Sequence, residues 1–381
     1  MEKILFLITT LNGGGAEKIL VDTVSSLDPQ KYEITVQTVL DRGIYTAEIK
    51  KLCTYKRIFP DIKGPALLKK IYFSLILRLF KYTSARWQYK TFIRGKYDVE
   101  IAFLEGTPTK ILSGSESQAK KYAWVHVDPI AFPNSTKEFK SLEEEKLAYR
   151  QFDRVLCVSS QICEGMKKKY QTGDKTSVQL NILDEQKVIE KSQQYQLENK
   201  SGCFNMITIG RLSRQKNYMR LLRVCARLKK EDYKFCLTIL GTGDQEESLK
   251  NFCREERLDD MVEFKGFLEN PYPYLKASDL FVCSSIAEGF STVVSEAIVL
   301  GVPVVTTDCA GMRDILGESE FGLIVDNSDD GLYGGIKRML EDPMCYQHYR
   351  EKTAERSAFF RKEQRVHELE TLILFGESIR K

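Results

Sequence analysis

The sequence predicts an α/β protein of two doubly wound domains, each a parallel sheet covered by helices on both faces. Three observations lead there. The chain has 381 residues, too many for one ordinary hydrophobic core and suited to two of typical size. Short apolar runs rich in β-branched residues alternate with longer helical stretches from one end to the other. Those runs are apolar on both faces, as buried parallel strands are, instead of alternating as half-exposed antiparallel strands do.

In the first half the expected strands are residues 4–8, 34–40, 99–104, 122–127 and 155–158. In the second half they are residues 206–209, 235–240, 262–264, 280–283, 302–306 and 323–325. The polar stretch 184–202 interrupts the alternation and reads as the connection between domains, which sets an N-terminal domain at 1–183 and a C-terminal one at 184–354.

Composition excludes several classes. With 43% hydrophobic and 29% charged residues the chain is balanced as a soluble globular protein, and its net charge of +4 is too small to argue for nucleic acid. Ten cysteines form no Cys-x-x-Cys pair, and most sit in apolar runs (Cys157, Cys225, Cys236, Cys283), so they are expected to be reduced, buried thiols and not a zinc site. Three histidines leave no His-rich metal centre. The first apolar stretch is too short for a signal peptide, and the protein is expected in the cytoplasm.

After the first strand comes Gly13-Gly14-Gly15, running into the helical pattern Ala16-Glu17-Lys18-Ile19-Leu20-Val21. Glycines at a strand-to-helix turn let backbone N–H groups approach an anion, although such a loop can equally be a tight turn. It is neither the dinucleotide fingerprint nor a P-loop. From residue 62 to residue 97 there are nine Lys/Arg and no Asp or Glu, interleaved with Tyr72, Phe73, Phe80, Tyr82, Trp87, Tyr89 and Phe92. Lys69, Lys70 and Arg78 break the apolar run before it reaches the roughly 20 residues of a spanning helix. The segment fits a helix lying on an anionic membrane surface, or an amphipathic helix packed on a sheet with its basic face solvated. No nucleic-acid recognition motif accompanies it.

In the second half, the strand at 206–209 ends in Gly210-Arg211-Leu212-Ser213-Arg214-Gln215-Lys216. Open α/β sheets bind ligands at the C-terminal ends of their strands, and a diphosphate leaving group needs its developing charge neutralised. No Asp-x-Asp pair is present to hold a metal, so Arg211 as a bidentate fork and Lys216 as a point charge are the candidates. The strand at 280–283 leads to Glu288-Gly289-Phe290-Ser291-Thr292-Val293 and on to Glu296. Ser291 is a good N-cap, which places Glu288 in the loop and Glu296 inside the helix. The two carboxylates can then reach hydroxyls on either side of an anion held at the helix N-terminus.

These residues resemble the GT-B fold retaining glycosyltransferases of family 4, the glycosyl transferases group 1. The match lies in Gly210-Arg211-x₄-Lys216, Gly241-Thr242-Gly243-Asp244, Glu288-x₇-Glu296 and Gly301-Val302-Pro303. Gly13-Gly14-Gly15-Ala16-Glu17 fits the family's N-terminal donor loop, and His126 its N-domain histidine. The resemblance implies two Rossmann-like domains facing across a cleft, with a C-terminal helix, 355–381, packing back on the N-domain. It implies that Arg211 and Lys216 bind the diphosphate of a nucleotide-sugar donor, expected to be a UDP-sugar, without a metal or other cofactor. Glu296 would take the ribose hydroxyls, and Glu288, with Gly289 and Phe290, would sit beside the hexose. Ser291, Thr292 and Val293 would touch phosphate and sugar, Gly14 and Gly15 would close on the phosphates, and His126 would contact the donor sugar. Gly266, Phe267 and Leu268 would meet the base. The implied reaction moves a hexose, with retention, to a lipid-linked or glycan acceptor hydroxyl in cell-surface polysaccharide synthesis. Catalysis would fall to Glu288, His126, Arg211 and Lys216. The enzyme would be peripheral on the inner face of the membrane through residues 62–97. Two other classes stay open: a non-catalytic partner subunit and a nucleotide-sugar epimerase. Asp244 stands where the family usually has proline.

Overall fold

The computed structural model describes residues 1–132, 137–197 and 202–376. The chain divides into two compact units, one comprising Met1–Leu183 with the segment from Lys362 onward, the other Asp184–Arg361.

The first unit is a parallel sheet of seven strands: β1 (Glu2–Ile8), β2 (Tyr32–Asp41), β3 (Thr54–Pro60), β4 (Val99–Ala102), β5 (Lys120–Val125), β6 (Arg154–Cys157) and β7 (Thr176–Val178). Their order is β3-β2-β1-β4-β5-β6-β7. The second unit holds six parallel strands: β8 (Phe204–Ile209), β9 (Phe235–Leu240), β10 (Val262–Gly266), β11 (Leu280–Cys283), β12 (Val304–Thr307) and β13 (Leu323–Val325), ordered β10-β9-β8-β11-β12-β13. In each sheet the strand order reverses once, between β1 and β4 and between β8 and β11. Helices on the two sides of such a point leave the sheet in opposite directions, which opens a crevice above the strand ends.

Burial follows the sequence pattern. Residues 4–8 of β1 are fully buried, as a central strand covered on both faces requires. The helix Tyr218–Lys230 places Leu221, Cys225 and Leu228 on its buried face against Met206, Leu237 and Val282 of the sheet. Burying a leucine of this kind is worth about 2 kcal/mol.

Two strands escape a search for apolar runs. β3 is an edge strand reading Thr-Tyr-Lys-Arg-Ile-Phe-Pro, partly exposed along its length and ending in a proline that only an edge tolerates. β7 has three residues at the opposite edge. The stretch read as an inter-domain connection is a further correction. Glu185–Ser192 is a helix capped by Asp184, whose side chain accepts from the Lys187 N–H, and it packs on the second unit's helices Tyr272–Lys276 and Thr292–Val299. Its polar outer face disguised it, since Val188 and Glu185 turn inward. Residues 198–201 of the stretch lie outside the described residues.

The basic segment forms the helices Ala66–Tyr82 and Ala85–Phe92. The first buries Ile76 and Phe80, with the Phe80 ring 6.0 Å from Phe59 and 5.8 Å from Phe92, and exposes Leu67, Leu68, Ile71, Leu75 and Leu77. Arg86 and Lys90 of the second pair with Glu116, at 2.8 and 3.2 Å. Among the described residues no helix is long and apolar enough to cross a membrane.

At the C-terminus the helix Lys362–Phe375 belongs to the first unit: the Tyr122 hydroxyl donates to the Leu372 carbonyl at 2.9 Å, and Lys120 Nζ donates to that of Ile373 at 2.8 Å. Residues 355–361, expected to share this helix, instead finish the helix Pro343–Ser357 and a 3-10 turn in the second unit. Residues 377–381 lie outside the described residues. The expectation of reduced thiols throughout also needs correcting, because Cys203 and Cys236 are disulfide-bonded. Cys203 immediately precedes β8, and the β8–β9 register of Phe204 opposite Phe235 brings it beside Cys236. The other eight cysteines form no disulfide.

Candidate active site

The loops after β8 and β11 meet at the crevice of the second unit. Gly210 ends β8 with φ +153°, and Gly241 ends β9 with φ +133°, a conformation L side chains rarely adopt. A Cβ on Gly241 would collide with the Gly210 carbonyl oxygen, so the two loops lie in backbone contact. Leu212 N–H donates to the Thr242 carbonyl at 3.0 Å and the Leu212 carbonyl accepts from Gln245 N–H at 3.0 Å, which fixes the loop carrying Arg211 and Lys216.

Lys216 Nζ lies 2.7 Å from Glu288 Oε1, and that same oxygen accepts from the Ser285 hydroxyl. Burial works against the ammonium, but the adjacent carboxylate outweighs it and holds the amine above its ordinary pKa. Glu288 is buried. The two loops are laced together further: Ile286 N–H donates to the Gln215 carbonyl at 2.8 Å and Gln215 Nε2 to that of Ala287 at 2.9 Å. From below, buried Arg220 holds Asn327 Oδ1 at 2.6 Å, and Asn327 Nδ2 donates to the Ile286 carbonyl at 2.8 Å. Lys216, Tyr218, Phe281, Ser284 and Ser291 line a small cavity between these loops. Arg211, earlier in the same loop as Lys216, is exposed.

Ser291 caps the helix Thr292–Val299, its hydroxyl accepting from Val294 N–H. The helix buries Val294 through Val299 and leaves Thr292 and Val293 at its partly exposed first turn, with Gly289 and Phe290 in the loop before it. Glu296 is buried, and its Oε1 accepts from the Tyr272 hydroxyl at 3.2 Å. Gly266 closes β10 with φ +71°, Phe267 is exposed and Leu268 half-buried. The structure therefore joins Lys216 to Glu288 directly, braces Glu296 on Tyr272, and places 266–268 two strands from β8 at the sheet edge.

In the first unit Gly14 is the N-cap of the helix Gly15–Ser26, and both glycines sit at the C-terminal end of β1. His126 follows the last residue of β5; its ring lies 4.9 Å from Phe103 and 6.0 Å from Trp124, and among the described residues its Nε2 has no hydrogen-bond partner. Burial pushes the imidazole down to about 3, so it is neutral at physiological pH. Ser285, Tyr272 and Arg220 escaped the sequence reading. Tyr272 and Arg220 act on residues distant in sequence, and Ser285, three residues before Glu288, carries no spacing that marks it as a partner.

Residues 188–357 match the family model of glycosyl transferases group 1. The chain is 29% identical over 373 residues, 95% of its own length and 96% of the relative's, to the N-acetylgalactosamine-N,N'-diacetylbacillosaminyl-diphospho-undecaprenol 4-alpha-N-acetylgalactosaminyltransferase of Campylobacter jejuni. It is 30% identical over 148 residues, 39% of this chain and 42% of the other, to the lipopolysaccharide core biosynthesis glycosyltransferase LpsD of Rhizobium meliloti. Among solved structures it resembles Anabaena HepE in complex with UDP and glucose, with a TM-score of 0.75 at 18% identity, over 98% of this chain and 100% of that one. Sheet order, the paired Lys216 and Glu288 above the β8–β11 reversal, and these likenesses agree: the chain is a glycosyltransferase of GT-B fold whose residues 188–357 match glycosyl transferases group 1.

Proposed function

We propose that the enzyme transfers a hexose, with retention, from a UDP-sugar to a hydroxyl of a lipid-linked saccharide during cell-surface polysaccharide assembly. The observation that carries this reading is the Lys216–Glu288 pair, a half-buried charge couple standing at the strand ends where the sheet order reverses. The relative that acts on a diphospho-undecaprenol saccharide, and the likeness to a structure holding UDP and glucose, support the acceptor and donor classes.

In this reading the donor's diphosphate replaces Glu288 as the partner of Lys216, and exposed Arg211 adds a second cation. Glu288, released, accepts from a hydroxyl of the hexose, while Glu296 takes the ribose hydroxyls. Ser291, Thr292 and Val293 turn the N-terminus of their helix toward the phosphates, and the backbone of 266–268 meets the base. Gly14, Gly15 and His126 serve the same reaction from the first unit, the neutral imidazole offering a hydrogen bond without charge. The acceptor oxygen attacks the anomeric carbon on the face the phosphate leaves. The bond to the phosphate oxygen breaks with its electron pair, and that oxygen receives the acceptor's proton. Fixed cations at the leaving oxygen are worth most in such a dry site, and no resident metal is assigned a role. The helix Ala66–Tyr82 lies on the anionic membrane surface where the lipid-linked acceptor resides, and the enzyme is cytoplasmic and peripheral.

The test is nucleotide release and sugar transfer with a panel of UDP-, GDP- and ADP-sugars, with and without a polyprenyl-diphosphate saccharide. Release and transfer from one UDP-sugar, dependent on the lipid acceptor, is the expected result. Binding without transfer to any acceptor would favour a silent subunit, and interconversion of the sugar without transfer an epimerase.

A further inference from the structure

A half-buried carboxylate outside the motifs holds two main-chain N–H groups. Glu105 follows β4, on the β4 side of the first sheet's reversal between β1 and β4, opposite the Gly13–Gly15 loop that follows β1. β4 and β5 pair as Val99 with Lys120 through Ala102 with Ala123, after which the ladder stops. Continuing that offset would set Glu105 against His126. There the chain of β4 turns away through Gly106, with φ +77°, into the helix Thr107–Ser113, and the N–H groups at the end of β5 lose their main-chain partners. The Glu105 carboxylate takes their place. Its Oε1 accepts the N–H of His126, and the N–H of Val127 at 2.7 Å.

We infer that Glu105 is a positioning residue for the transfer reaction, its carboxylate standing in for the interrupted strand ladder and holding the His126 turn at the crevice. The inference rests on the reading of His126 as a residue of the reaction. The physical argument is one of cost. A carboxylate drawn out of water is an expensive way to satisfy two adjacent N–H groups that neutral main-chain acceptors satisfy elsewhere in the sheet. What it provides in exchange is geometry: β4 leaves the sheet early enough to open the crevice, while His126 keeps a fixed backbone direction. The ring is then set by Phe103 and Trp124, and its enclosed Nε2 has no hydrogen-bond partner among the described residues.

The carboxylate is also where proton uptake would be felt. Burial pushes Glu105 up to about 7, against the downward pull of the backbone N–H groups it accepts and with a small upward push from Glu145. The groups facing it are Glu145 and Tyr149 of the helix Leu142–Arg150, Cys157 of β6 and His126, with Glu138 next to Gly106. Burial raises Tyr149 and Cys157 well above their ordinary values and also raises Glu138, while His126 titrates near 3. Protonation of Glu105 weakens the two bonds to the turn, so transfer falls as pH drops through 7.

The three histidines of the chain make the test direct. The full-length protein is labelled with ¹⁵N-histidine, and the backbone amide of His126 is followed from pH 5 to 9 in the wild type and in Glu105→Gln, which keeps shape and an acceptor oxygen. Transfer rates are measured over the same range. The expected result is a His126 amide that titrates near pH 7 in the wild type and not in the variant. Wild-type transfer should drop about tenfold from pH 8 to pH 6, and the variant should be flat. A His126 amide that ignores both pH and the substitution would overturn the structural tie. An amide that titrates while transfer stays level would leave the tie standing and remove its bearing on the reaction, which removes His126 as well. Should Glu105→Gln fail to fold, the wild-type titration alone decides.

Discussion

At the scale of single residues, two carboxylates are held in opposite ways. Glu288 has a cation at 2.7 Å and a hydroxyl on the same oxygen, so its charge is compensated before any ligand arrives. Glu105 has only N–H dipoles, and burial dominates, raising it from 4.5 to about 7. The folded state therefore binds a proton more tightly than the unfolded chain. That contribution to stability is complete below about pH 4.5 and is lost as pH climbs through 7, a swing of about 3 kcal/mol for a shift of this size. Thermal melts of wild type and Glu105→Gln between pH 5 and 8 should diverge, the wild type losing several degrees relative to the variant; parallel curves would contradict this. Arg211, Lys216, Glu288 and Glu296 were legible in the sequence because their spacing is fixed by one loop or one helix. Glu105 was not, because its partners are main-chain N–H groups 21 residues away whose proximity only the β4–β5 register determines.

At the scale of elements, the site is built from close approaches between loops. Gly241 is the sharpest case, with both a positive φ and the Gly210 carbonyl where a side chain would begin. Gly241→Ala should cost about 3 kcal/mol or more in denaturant unfolding. Gly334, on the helix Asp329–Glu341 with open space around it, is the control. Gly334→Ala should be neutral or stabilise by up to about 1 kcal/mol, and equal losses in both variants would refute the assignment. The six strands of the second unit were all visible as apolar runs, including the half-buried edges β10 and β13, which keep Val262, Phe264, Leu323, Ile324 and Val325. The strands missed, β3 and β7, are edges, where burial does not demand such a run. The helix Glu185–Ser192 was missed because one buried apolar side, Val188, is too little signal in an otherwise polar string.

At the scale of the whole molecule, the net charge of +4 conceals a segment carrying nine cations and no acid. Glu116, from outside that segment, neutralises Arg86 and Lys90. Five large apolar side chains remain exposed on the helix Ala66–Tyr82, interspersed with Lys69, Lys70, Arg78 and Lys81. Hydrophobic contact plus roughly 1 kcal/mol per basic residue near an anionic leaflet would supply the peripheral binding proposed above. Replacing those four cations with glutamate should release the protein from anionic vesicles in co-sedimentation while leaving its melting temperature within a few degrees. Unchanged co-sedimentation would remove the membrane from the account.

The most direct measurement of the central claim, that a donor diphosphate is held by Lys216 and Arg211 above the β8–β11 reversal, is calorimetric titration of UDP. It should be run on the wild type, Arg211→Ala and Lys216→Ala, each checked by thermal melting. The account predicts binding to the wild type, weaker binding to Arg211→Ala, and a loss of about 30-fold or more in Lys216→Ala, as expected for truncation of a half-buried, hydrogen-bonded charge. UDP affinity unchanged in a folded Lys216→Ala protein would contradict it.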